Sequence, residues 1–170
     1  EGKEGVLELG CGNGSLWKVN MQRVPANAHI ILSDFSSGML ETAKQQLGSV
    51  PGVFGFQVID AQSIPYEENA FDVVIANHML YHVPDRKKAL SEISRVLREK
   101  GTFCATTIGT GHLKELVELV CTYDRVIHYP ANVVAEDFGL ASGMEQLKEF
   151  FSSVDVTRYE DFLEVTDAEL

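Results

Sequence analysis

The sequence predicts an α/β domain of three layers, a doubly wound and mostly parallel sheet between helices, and three observations lead there. Apolar runs of strand length alternate with segments of helical period along the chain. A glycine-rich turn joins the first run to the first helical segment. The chain has 170 residues, 45% of them apolar, enough for one buried core without a disulfide framework.

The elements follow in order. Gly5 to Leu9 is a short apolar run ending in glycines, and Leu16, Val19 and Arg23 then recur at helical spacing up to Val24. His29 to Leu32 reads as a second strand, and Ser36 or Ser37 can cap a helix whose Met39, Leu40, Ala43 and Leu47 share one face. Val53 to Ile59 is a third strand, followed by a polar connection through Pro65. Phe71 to Ala76 is a fourth, and its unbroken Val73, Val74 and Ile75 suit a strand covered on both faces. Asp85 caps a helix with Ala89, Leu90, Ile93, Val96 and Leu97 inward, and Gly101 stops it before a strand from Thr102 to Ile108. Beyond Gly111 the pattern suits a helix through Leu113, Leu116, Val117, Val120 and Tyr123, with a lid or variable segment expected over 110–140. Ser142-Gly143-Met144-Glu145 matches a capping box opening a last helix, with Leu147, Phe150 and Phe151 inward, and Val154 to Tyr159 alternates as a strand. With no repeat or linker, residues 1–170 read as one domain.

Charge and cysteine content narrow the function. Lys plus Arg number 14 against 25 Asp plus Glu, a formal charge of -11 that repels nucleic acid and anionic membranes. Cys11, Cys104 and Cys121 are an odd, widely spaced set that suits reduced thiols in the cytoplasm, and no apolar run is long enough for a membrane span. The expected chain is soluble and cytoplasmic.

Glu8-Leu9-Gly10-Cys11-Gly12-Asn13-Gly14 lies where glycines let a backbone turn sharply and approach a ligand closely. Its spacing is G-x-G-x-G, whereas the dinucleotide fingerprint needs a glycine where Ser15 stands. Asp34 closes the second strand, where a carboxylate can accept hydrogen bonds from both hydroxyls of a ribose; a helix cap or turn is its structural alternative. His78, Tyr81 and His82 follow the fourth strand. The i, i+4 histidines have a zinc-ligand spacing, but the glutamate of H-E-x-x-H and a nearby cysteine are missing, so no metal is expected.

Four motifs stand in order: VLELGCGNGSL, LSDFSSGMLETA, VIDAQSIPYEENAFDVVIANHMLYHVPD and ALSEISRVLREKGTF. Together they resemble the class I S-adenosylmethionine (SAM)-dependent methyltransferases of the small-molecule type, such as the quinone and sterol C-methyltransferases, from about Val6 to Ile108. The resemblance implies their Rossmann-like fold, here without the usual N-terminal helices and a final strand, and SAM as cofactor. It implies that Glu8 and the turn of Gly10, Cys11 and Gly12 face the methionine end, that Asp34 holds the ribose, and that Phe35 or Met39 packs near the adenine. Asp60 would accept from the adenine amino group with the Ala61 amide beside it, and Asn77 would meet the SAM amino group. His78, Tyr81 and His82 stand where a methyl acceptor would approach, as a base, as orienting groups or as an aromatic wall near the sulfonium. Cys11 is expected to pack as a small apolar residue. The expected activity is methyl transfer to a small molecule; a non-catalytic SAM-binding subunit and an NAD-dependent oxidoreductase are the alternatives, with an aminopropyltransferase conceivable.

Overall fold

The computed structural model describes residues 4–25, 27–48, 53–123 and 136–160. Five strands, β1 (Glu4–Leu9), β2 (Ala28–Asp34), β3 (Phe54–Val58), β4 (Phe71–Asn77) and β5 (Leu97–Thr106), form one sheet in the order β3-β2-β1-β4-β5. Every pairing is parallel. Among the described residues these helices accompany them: α1 (Ser15–Asn20), α2 (Ser37–Leu47), α3 (Arg86–Val96), α4 (Lys114–Tyr123) and α5 (Leu140–Lys148). The chain starts in the middle, winds outward through β2 and β3, and returns to β4 on the other side of β1. This reversal opens a crevice at the carboxyl ends of β1 and β4, the usual ligand position in open α/β sheets.

Two apolar clusters cover the sheet. On one, Leu40, Ala43 and Leu47 of α2 pack with Ile30 and Leu32; on the other, Ala89, Leu90, Ile93 and Val96 of α3 pack with Leu7, Leu9 and Val74. Ser36 Oγ accepts from Met39 N at 3.3 Å and Asp85 Oδ1 from Lys88 N at 3.0 Å, so the serine and aspartate caps form at α2 and α3.

Five local expectations are corrected. Leu97 is not the last inward residue of α3: its backbone is extended and pairs with Phe71, because α3 ends at Val96. Gly101 therefore lies inside β5, in a bulge where the register jumps from Phe71↔Leu97 to Val73↔Thr102. A Cβ there would stand 2.7 Å from Leu97 Cγ and 2.9 Å from Asp72 O, so close packing explains the glycine. In α1 the inward face is Trp17 with Met21 just beyond; Val19 is 79% exposed. Ser142 is the third residue of α5 rather than its cap, with Oγ accepting from Gly139 N at 2.9 Å. Val154 to Tyr159 forms no strand: alternation alone does not supply a partner, and Val156 and Tyr159 face solvent. Within the expected lid, 124–135 lies outside the described residues.

Candidate functional site

The glycine turn after β1 is built from backbone torsions. Gly10, Gly12 and Gly14 have φ of 70°, 54° and 78°, the left-handed region that side-chain-bearing residues avoid. Gly10 and Gly14 are also required by packing: a Cβ on the first would lie 2.8 Å from Met79 Cβ, and on the second 2.8 Å from Leu47 Cδ1. At Gly12 a Cβ would meet nothing within 4 Å. Its backbone borders open space that a side chain would fill.

Asp34 holds this turn. Its Oδ2 accepts from Gly12 N at 2.9 Å and its Oδ1 from Ser36 N at 2.8 Å, while Cys11 N donates to Ser33 O at 2.8 Å. An ionised carboxylate offers about four acceptor positions, so two stay available after those bonds. Cys11 packs in the apolar cluster beneath α2, and burial pushes its thiol up to about 12, leaving an unreactive small side chain.

Glu8 lies beneath the turn, 2% exposed. Its Oε2 accepts from Trp17 Nε1 at 2.6 Å and its Oε1 from Asn77 Nδ2 at 3.5 Å; Asn77 Oδ1 in turn accepts from Thr106 Oγ1 at 3.2 Å. Burial pushes the carboxyl above its ordinary range, and the indole and amide donors oppose that shift. The ends of β1, β4 and β5 are thus linked through one buried acid.

Asp60 follows β3 beside this corner, where Ile59 N donates to Asp34 O at 3.3 Å. Its Oδ1 accepts from Gln62 N at 2.8 Å and Gln62 Nε2 at 3.0 Å, which holds its carboxyl below the ordinary range and keeps it an acceptor. Ala61 is buried. Phe35 is 77% exposed and Met39 50%, apolar side chains in the open next to Asp34.

Beyond β4, His78 has φ 50° and precedes a single 3₁₀ turn, Leu80–His82, so the two histidines do not share one helix. Both are exposed, and the Tyr81 and His82 rings meet edge to face at 4.5 Å. The structure therefore brings Glu8, Gly10, Gly12, Asp34 and Asn77 into one bonded corner, with Asp60 adjacent, and leaves His78 and His82 facing outward. Trp17, Met79, Gln62 and Thr106 complete this corner without having been singled out in the sequence. Trp17 carried a signal: a glutamate inside an apolar strand needs a donor, and the sole tryptophan lies nine positions on.

Known proteins agree with this architecture. Residues 7–105 match the family described as "Methyltransferase domain". The ubiquinone/menaquinone biosynthesis C-methyltransferase of Vibrio cholerae is 28% identical over 135 residues, covering 78% of this chain and 52% of that protein. A malonyl-[acyl-carrier protein] O-methyltransferase of Ilyobacter polytropus is 30% identical over 132 residues, covering 78% and 48%. The chain spans about half the length of these curated relatives. Among solved structures, the [4+2]-cyclase SpnF superposes with a TM-score of 0.58 at 28% identity, over 65% of this chain and 40% of that one. The CurJ carbon methyltransferase does so at 0.59 and 20% identity, over 64% and 30%, a likeness of fold. The family match runs from the middle of β1 to the end of β5, taking in the glycine turn, Asp34, Asp60 and the segment after β4, and on that ground the chain belongs to the methyltransferase domain family.

Proposed function

We propose that this chain binds SAM at the carboxyl ends of β1, β2 and β4 and transfers its methyl group to a small-molecule acceptor. The single observation that carries this reading is the turn at Gly12, clamped by Asp34 and bordered by open space, next to a carboxylate with acceptor positions to spare. A ribose fits that pair: the backbone permits close approach and Asp34 accepts from the hydroxyls. Phe35 and Met39 supply exposed apolar surface for a purine, and Asp60 an acceptor for its amino group.

Charge favours SAM over a dinucleotide. Glu8, Asp34 and Asp60 place three carboxylates around the corner, a field that suits a sulfonium with an ammonium group and opposes a pyrophosphate. SAM, when bound, supplies an activated methyl group with a good leaving group already attached. The protein's part is then alignment: the turn and Asp34 fix the donor, and His78, Tyr81 and His82 border the side on which an acceptor arrives. His82 is the residue we assign to orienting the acceptor or taking its proton. The free thiols Cys11 and Cys104 fit a cytoplasmic setting.

The test is calorimetric titration with S-adenosylhomocysteine, with NAD as control. Micromolar binding of the first alone, roughly -8 kcal/mol, supports the proposal. Binding of NAD alone overturns it in favour of an oxidoreductase. Turnover with candidate acceptors then separates a methyltransferase from a SAM-binding subunit, and from other chemistry on this fold of the kind the name of the cyclase SpnF indicates.

A further inference from the structure

Between β3 and β4 the chain from Ile59 to Ala70 runs from the carboxyl end of β3, at the crevice, to the amino end of β4 with one isolated bridge, Asp60↔Ser63, and α3 supplies much of what holds it. Glu92 Oε2 accepts from Ile64 N at 2.9 Å. Arg95 donates from Nη2 to Ile64 O at 2.9 Å and from Nη1 to Tyr66 O at 2.7 Å, while its own carbonyl accepts from Asn69 N at 3.0 Å. The pair is joined through Arg95 Nε to Glu92 Oε1 at 2.7 Å and Nη2 to Oε2 at 2.8 Å. Gln62, which caps the Asp60 turn, accepts at Oε1 from Asp85 N at 3.1 Å, at the start of the same helix. From Gln62 to Asn69 this connection is therefore fastened to α3, with further bonds from Tyr66 Oη to Gln57 Oε1 at 2.6 Å and from Arg98 Nε to Asn69 O at 3.2 Å, and Ala89, Leu90, Ile93 and Val96 of α3 are fully buried and cannot shift freely.

We infer that Glu92 and Arg95 are positioning residues that set the place of Asp60 and so determine the preference for a 6-amino over a 6-oxo purine, an inference that rests on the proposed SAM site. Ser63 N donates to Asp60 O at 2.9 Å and Ile64 follows directly, so a displacement at Ile64 is transmitted to the Asp60 carboxylate through a short, bonded turn. That carboxylate only accepts hydrogen bonds. It pairs with an amino group and repels a carbonyl, and it discriminates only if it cannot move away.

The experiment compares S-adenosylhomocysteine with S-inosylhomocysteine and with the 2′-deoxy analogue, by calorimetry on the full chain and on Arg95→Met and Glu92→Gln, with thermal unfolding as the check on folding. The wild-type chain should prefer the adenine ligand by on the order of 100-fold, and both variants should reduce that preference to about 10-fold or less while keeping the preference for the 2′-hydroxyl, which Asp34 reads. Arg95→Lys should not restore it, because one ammonium does not span two carbonyls and a carboxylate. Glu92→Gln carries the test if Arg95→Met does not fold. Unchanged discrimination in the folded variants, equal loss of both preferences, or a wild-type chain that binds without distinguishing the purines overturns the inference alone. A wild-type chain that binds none of the three overturns the functional reading as well.

Discussion

The corner at the ends of β1 and β2 and the segment after β4 face the same crevice but are built differently. In the first, the character of the surface lies in the backbone: three glycines at positive φ, with Gly12 N and Ser36 N on Asp34 and Ser33 Oγ on Glu8 O at 2.7 Å. In the second it lies in side chains, with His78 and His82 exposed and Tyr81 half-buried. A backbone pocket tolerates little change and suits a ligand that stays the same. A rim of outward side chains can be exchanged without refolding and suits the ligand that differs from one family member to another.

Substitution of Gly12 should break the first region most severely. Valine at φ 54° is a steric outlier and its branches would fill the open space, so Gly12→Val should lower affinity for S-adenosylhomocysteine by about 100-fold or more, roughly 3 kcal/mol. Calorimetry with circular dichroism checks it; unaltered binding by a folded variant would make the turn purely structural.

A paired substitution then sharpens the contrast. Asp34→Ala should weaken ligand binding by about tenfold or more and also lower the unfolding temperature, because hydrogen bonds to a charged acceptor contribute about 1.5–3 kcal/mol each and two of them hold Gly12 and Ser36. A ribose-binding role alone would spare the fold; the clamp on Gly12 adds a structural one. His82→Ala should leave affinity and unfolding temperature nearly unchanged while reducing turnover at saturating SAM by about tenfold or more. Turnover that survives His82→Ala would remove the acceptor role of that side chain.

This division also explains what was legible in the sequence. Glycines, strand-end acids and helix caps are local signals, so β1 to β4, the caps at Ser36 and Asp85 and the outline of the corner could be read directly. Leu97 could not, because its spacing fits a helix while its pairing with Phe71, distant in sequence, decides for a strand. Val154 to Tyr159 failed for the converse reason: the alternation is local, the missing ladder is not. In the site, the Asp34 to Gly12 bond spans 22 positions and the Asn77 to Glu8 contact 69, so which acid supports the turn and which lies buried beneath it emerge only on folding.

The smallest effect expected concerns Glu8 and shows up in the pH dependence of stability. Burial raises its carboxyl pKa in the folded chain, whereas Asp60, Asp72 and Glu92 are lowered mainly by hydrogen bonds from Gln62, Gly5 and Arg95. The two groups act with opposite sign. For Glu8 the folded state holds its proton more tightly, so its contribution is fully present below the unfolded value, near 4.5, and is lost as pH rises through the folded value. For the three lowered acids the contribution is present above their unfolded values and is lost as pH falls through the folded ones. Glu8→Gln keeps an oxygen to accept from Trp17 Nε1 but removes the ionisation, so its stability relative to wild type should climb as pH increases from about 4.5 and level off once wild-type Glu8 is charged. Urea unfolding from pH 4 to 8 measures that difference. A parallel offset at every pH would mean that Glu8 does not titrate differently in the folded chain and that its burial is fully offset by the Trp17 and Asn77 donors.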